Sequence, residues 1–258
     1  MVTGLPVFLV EELPGAGPAA LEGPEGRHAA AVRRMRPGEE LVLSDGRGGM
    51  ARCAVNHAEQ TALRLDVLER WQEAAPPLRV VLAQALVKGD RGELAVELAT
   101  ESGVDAVVPW RAARCVARWD DGPRGAKALA RWRGTAREAA KQARRAWVPA
   151  VEEPVDTKAL ATLVSAAAGA LVLHESASES LTSTDLPARG DLLLVVGPEG
   201  GITDDELAIL TEAGARAVRL GPTVLRASTA AAVALGALGV LTGRWARAAP
   251  APNGRPGT

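Results

Sequence analysis

Two short glycine loops and the arginine behind them are the residues of this chain best suited to chemistry. Gly197-Pro198-Glu199-Gly200-Gly201 and Gly221-Pro222 each stop an apolar run, and Arg226 follows the second loop. Glycine permits backbone geometry and a close ligand approach that a side chain would block. Either loop alone reads as a tight turn. Together, at the carboxyl ends of two buried strands and with an arginine behind them, they read better as the ligand site of an open α/β sheet. The usual nucleotide fingerprints are missing. There is no G-x-x-x-x-G-K-[ST], GPEGG is not G-x-G-x-x-G, and Glu199 meets any phosphate with like charge. The pattern disfavours a triphosphate and suits a ligand of neutral or positive character. His174 and Glu175 follow the apolar run 170–173 and are expected at the same sheet edge, although a histidine there often only satisfies local backbone groups.

The elements that must position these residues are legible around them. Residues 192–196 are an unbroken apolar run, as for a strand buried on both faces. A helix follows, opened by a capping box of Thr203 and Glu206, with Asp204 and Asp205 suited to the positive end of its dipole and Gly214 as its stop. Residues 217–220 form the next strand, and the Ala, Val, Leu and Gly of 229–241 form a buried last helix. Ser228 or Thr229 either caps that helix or orients the reacting group. Upstream, strands at 79–85, 104–108 and 170–173 alternate with helices. One of these, 91–102, carries Leu94, Leu98 and Glu101 at near-helical spacing and stops at Gly103. Such alternation specifies a mostly parallel sheet.

Residues 1–74 read differently, as short strands at 39–44, 51–55 and 62–68, a Gly/Pro loop at 14–18 and a short helix at 28–35. That pattern suggests a small β-barrel. Ala74-Ala75-Pro76-Pro77 is a short stiff linker to the α/β domain of residues 75–245, and the Pro, Gly and Ala of 246–258 suggest a disordered tail.

A formal net charge of -1 conceals an uneven distribution, because residues 111–147 hold eleven Lys or Arg against three acids. Such a run is usually a solvated helix face. Here Lys127, Arg131, Arg133, Arg137, Lys141, Arg144 and Arg145 are interleaved with Trp132 and Trp147, a combination that suits nucleic acid. Arg33, Arg34 and Arg36 admit the same two readings. Two distant cysteines, Cys53 and Cys115, make neither a disulfide framework nor a metal cluster, so no metal is expected and a reducing cytoplasm is the simple reading. No apolar run reaches membrane-spanning length, and no signal-peptide pattern opens the chain.

The block GPEGGITDDE followed by RLGPTVLRASTAAAVALGALGVLTGRW resembles the signature of the RsmE family, bacterial 16S ribosomal RNA uridine N3-methyltransferases of the SPOUT (α/β-knot) superfamily. Four further blocks, HAAAVRRMRPGEELVLSDG, KGDRGELAVELATESGVDAVVP, REAAKQARR and LVLHES, fall in that family's order and spacing. The resemblance implies a C-terminal knotted α/β methyltransferase domain, an N-terminal PUA-like RNA-binding barrel, a homodimer, and S-adenosylmethionine as cofactor. It places Leu173, His174, Glu175, Gly197, Pro198, Glu199, Gly200, Gly201, Ile202, Leu220, Gly221, Leu225, Arg226 and Ser228 at the cofactor. Arg226 is then the candidate for stabilising charge on the uracil ring, and Arg33, Arg34, Arg36, Arg131, Arg137, Lys141, Arg144 and Arg145 are expected to meet 16S rRNA of the small subunit. One departure stands out: much of the family reads L-R-x-E-T-A where this chain has Leu225-Arg226-Ala227-Ser228-Thr229-Ala230, so a possible base or arginine partner is missing. The competing readings are a related knot methyltransferase acting on tRNA and a non-catalytic RNA-binding assembly factor. A Rossmann-type methyltransferase fits least, since no G-x-G loop follows the first strand of the α/β domain.

Overall fold

The structure is a computed structural model and describes residues 4–246. The chain divides into two compact units. The first comprises the described residues through Ala75 together with Ala140–Val148, and the second holds Pro76–Ala139 and the described residues from Pro149 on. The return of residues 140–148 to the first unit is a feature the linear domain boundaries did not contain.

In the first unit the elements are β1 (Val7–Leu9), β2 (Gly17–Leu21), α1 (Gly23–Arg27), β3 (Glu40–Ser44), β4 (Gly49–Ala58) and β5 (Leu63–Gln72). They form one sheet in the order β1-β3-β4-β5-β2, with β1 parallel to β3 and the other pairs antiparallel. Two register shifts, at Arg52/Cys53 and Val55/His57, interrupt the long β4–β5 ladder, and such bulges bend a sheet around its core. That core contains Phe8, Leu21, Leu41, Leu43, Leu63 and Leu65. Cys53 lies within it, fully buried, and burial pushes its thiol up to about 11. Two expectations fail here. The presumed loop at 14–18 contains the start of β2, which Pro18 tolerates because β2 is an edge strand. The helix expected at 28–35 is instead a π-helical turn, His28–Val32, continuing directly from α1, while Met35 lies beyond it and is buried.

The second unit continues with β6 (Leu78–Ala85), α2 (Arg91–Glu101), β7 (Ala106–Trp110), α3 (Pro123–Gln142, whose end from Ala140 belongs to the first unit), β8 (Ala150–Val151), α4 (Thr157–Ala166), β9 (Gly169–Leu173), β10 (Gly190–Val196), α5 (Asp204–Glu212), β11 (Arg216–Val218) and α6 (Ala227–Leu241). All six strands are parallel, in the order β11-β9-β10-β6-β7-β8. β6 and β10 lie centrally, and six of the eight residues of β6 are apolar and buried. Helix α6 packs on α2, β6 and β10, so the small residues of its sequence serve a close fit to the sheet.

The residue pattern misplaced several details. In α2 the buried face is Gly92, Ala95, Val96, Ala99 and Thr100, whereas Leu94 is 43% exposed. Val104 precedes β7 rather than belonging to it. β11 ends at Val218, which leaves Leu220 in the following loop. Trp132 is 2% exposed and packs edge-on against Trp119 at 4.9 Å between ring centroids, and the half-buried Trp147 donates its indole N–H to the Glu73 carbonyl. Neither tryptophan is therefore a free stacking platform for a base.

Candidate active site

The C-terminal ends of β6, β7, β9, β10 and β11 open into one cavity of about 1040 Å³ within the second unit. Ligands of open α/β sheets bind at this edge, where loops leave the strands free to carry chemistry. All fourteen residues that the family resemblance placed at the cofactor line this cavity, from Leu173, His174 and Glu175 at the end of β9 to Arg226 and Ser228 at the start of α6. The order β11-β9-β10 puts the His174-Glu175 segment between the two glycine loops.

Each loop is held from behind. The capping box of α5 is present: Glu206 Oε2 accepts the Thr203 backbone N–H at 3.1 Å, and the Thr203 hydroxyl oxygen accepts the Glu206 N–H at 3.2 Å. Glu206 does more than cap. Its other oxygen accepts the Ala113 N–H at 2.8 Å and the Thr157 hydroxyl at 3.0 Å, while Trp110 donates to the same hydroxyl at 3.2 Å. One carboxylate, 5% exposed, thus ties the start of α5 to the segment after β7 and to the start of α4. That segment carries Arg114, whose guanidinium donates to the Gly200 carbonyl at 3.1 Å. A Cβ on Gly200 would stand 3.0 Å from the Arg114 Cβ, so glycine there makes room for the arginine as well as for a ligand. From the other side Arg91 approaches the Glu199 carboxylate at 3.6 Å.

The second loop is fixed by the segment before it. Arg219 exchanges backbone hydrogen bonds with Glu179 and Leu181, an isolated bridge extending the edge of the sheet beside β11. A Cβ on Gly221 meets no atom within 4 Å, so its side faces open space in the cavity. His174 donates its backbone N–H to Val218, and its Nδ1 lies 2.9 Å from the Ser176 hydroxyl, which leaves Nε2 uncommitted.

Helix α6 begins two residues earlier than its sequence suggested. Its N-cap is Arg226, with no side-chain cap bond, so neither Ser228 nor Thr229 occupies that position. Ser228 lies in the first turn, 4% exposed. Arg226 is exposed, lines the cavity and has no ion-pair partner among the described residues. A cation is unfavourable at the positive end of a helix dipole unless an anion joins it.

Arg91, Arg114 and Arg219 also line the cavity, and sequence reasoning assigned none of them to it. Their signal was position: each lies within a few residues of the end of a parallel strand or at the start of the helix that follows one. Among the described residues no group of three or more His, Cys, Asp or Glu could hold a metal ion, and no helix is long and apolar enough to cross a membrane. Of the basic residues, Arg131 pairs with Glu93, Arg133 with Glu153 and Lys141 with Glu25.

An RNA methyltransferase domain model matches residues 74–239, and an RNA methyltransferase PUA domain model matches residues 21–68. The chain is 56% identical over 246 residues to ribosomal RNA small subunit methyltransferase E of Mycobacterium bovis, covering 93% of each. To the Bacillus subtilis protein of that name it is 32% identical, covering 86% of this chain and 90% of the relative. The crystal structure of ribosomal RNA small subunit methyltransferase E from Neisseria gonorrhoeae bound to S-adenosyl methionine superposes with a TM-score of 0.82 at 29% identity, over 92% of this chain and 98% of that one. A Legionella pneumophila structure in complex with bound SAM superposes with a TM-score of 0.81 at 28% identity, over 92% and 97%.

The parallel sheet with its cavity and the PUA-like unit define an S-adenosylmethionine-dependent RNA methyltransferase. The residues lining the cavity fit that cofactor: Leu173, Val196, Ile202, Leu220 and Leu225 would give apolar walls, backbone groups of the two loops would give polar contacts, and Glu175 and Glu199 suit a ligand carrying positive charge. The chain belongs to the ribosomal RNA small subunit methyltransferase E (RsmE) family.

Proposed function

We propose that the protein methylates N3 of one uridine in the 16S rRNA of the small ribosomal subunit, acting as a cytoplasmic homodimer. The observation that carries this reading is the cavity at the strand ends where two glycine loops meet an uncommitted guanidinium, Arg226, at a helix N-terminus. S-adenosylmethionine bound there supplies a methyl carbon made electrophilic by its sulfonium. The loops of 197–201 and 219–222 hold it through backbone groups, with Arg114 and the Arg91–Glu199 pair fixing the shape of the first loop.

N3 of uracil is a poor nucleophile until its proton leaves, and the charge then spreads onto the ring oxygens. Arg226 meets that charge with a permanent cation, and the positive end of α6 adds to it. With serine at 228, the proton must go to another group. His174, Glu175 and Glu199 are the cavity's titratable acceptors, and Glu199 already faces Arg91. Arg33, Arg34, Arg36, Arg137 and Arg144 are exposed cations that suit an RNA backbone. Dimerisation is supported by apolar residues left open on α6, with Val240 at 70% and Val233 and Leu241 each at 45% exposure.

Transfer of tritiated methyl from S-adenosylmethionine to 30S subunits, free 16S rRNA and tRNA, all from cells lacking this activity, tests the reading. Label is expected in the ribosomal RNA samples. Label confined to tRNA, or cofactor binding with no transfer to any RNA, would contradict it.

A further inference from the structure

Five helices of this chain are followed by a residue in the left-handed backbone region, and those following residues divide by unit. In the second unit α2, α5 and α6 are followed by Gly103, Gly214 and Gly243, at φ +94°, +109° and +67°. Glycine is the usual occupant, since any other residue crowds its Cβ against the backbone. In the first unit the same place is taken by arginine both times: Arg34 after the π-helical turn, at φ 54°, and Arg144 after α3, at φ 56°. These are the only non-glycine residues with positive φ among those described.

The hydrogen bonding shows that these are real helix ends. Arg145 donates its N–H to the Ala140 carbonyl at 2.9 Å and Arg144 to Lys141 at 3.1 Å, the closure that Val104 to Ala99 and Ala215 to Leu210 make around Gly103 and Gly214. Met35 donates to Ala29 at 3.1 Å around Arg34, one residue wider because the turn is π-helical. Neither arginine gains an ion pair in return. Both are exposed and, among the described residues, neither has a carboxylate partner, whereas Arg131, Arg133 and Lys141 all do. The two ends also belong to one body. Lys141, three residues before Arg144, pairs at 3.1 Å with Glu25 in the helix that runs on to Arg34, both side chains being largely buried.

We propose that Arg34 and Arg144 are phosphate-gripping residues of the first unit, and that the left-handed backbone at each turns a guanidinium out of a helix end toward an RNA backbone. A backbone that costs stability, carried twice by an unpaired cation where this chain otherwise uses glycine, is strain kept at a binding surface. The proposal rests on RNA being the substrate.

Glycine at both positions separates binding from folding, because it removes the guanidinium and relieves the backbone together. The test compares Arg34→Gly/Arg144→Gly with Arg34→Ala/Arg144→Ala, reading affinity for a 16S rRNA transcript over a salt series and thermal unfolding of the full chain. Both double variants are expected to lose roughly 10- to 100-fold in affinity near 0.1 M salt and to flatten the slope of log affinity against log salt by about 1.5 to 2. The glycine variant is expected to melt above the alanine variant by about 2 to 4 °C. Unchanged affinity and slope in both variants, while the parent protein binds and methylates the transcript, would overturn the proposal and leave the functional reading intact. A glycine variant no more stable than the alanine one would overturn the backbone part. A parent protein that does not bind the transcript would overturn the functional reading and the proposal with it.

Discussion

Arg226 is the residue on which the proposed chemistry turns. It caps α6 without a side-chain bond and lines the cavity. Arg226→Lys keeps the charge and loses the planar fork, so single-turnover methylation should fall on the order of 100-fold while S-adenosylmethionine affinity changes little. A normal rate at saturating cofactor and RNA would remove Arg226 from the transition state. The two glycine loops separate by the same kind of argument. A side chain at Gly221 meets open space in the cavity, so Gly221→Val should fold normally and bind cofactor weakly, read by circular dichroism and calorimetry. Gly200→Val should also displace Arg114, whose Cβ lies 3.0 Å from the site of the new one. Unchanged cofactor affinity in Gly221→Val would take the second loop out of the site.

At the scale of elements the junction at Glu206 matters most, and it was half legible in the sequence. Thr203 and Glu206 at the right spacing announced a cap, because capping is local. Nothing local announced that the second carboxylate oxygen accepts from Ala113 and Thr157, which lie 93 and 49 residues away in the chain. Glu206→Ala therefore loses the cap and leaves buried donors unpaired, for a cost of roughly 2 to 4 kcal/mol, while Thr203→Ala loses the cap alone at about 1 kcal/mol. Equal urea midpoints for the two variants would show that Glu206 only caps. The same limit explains the tryptophans. Interleaving Trp132 with arginines on α3 is a pattern along one helix, but the neighbours Trp119 and Gly92 that bury it come from elsewhere in the chain. Parallel strands were read well because each is a compact apolar run, and β8 was missed because it is only two residues long.

For the whole molecule, the sequence blocks that resemble the RsmE family carry both the cavity at the strand ends and the PUA-like unit, and the family models match the same two regions. The cavity was predictable because glycine loops at strand ends announce themselves. The return of Ala140–Val148 to the first unit was not, since it depends on pairings such as Lys141 with Glu25, 116 residues apart. What the account claims centrally is a position on a base, and one measurement addresses it directly: nuclease digestion and mass spectrometry of 16S rRNA from cells lacking this protein, before and after incubation with it and S-adenosylmethionine. N3-methyluridine should be absent at a single site beforehand and restored there afterwards. A methyl group appearing on ribose, or on any base atom other than uracil N3, would contradict the account.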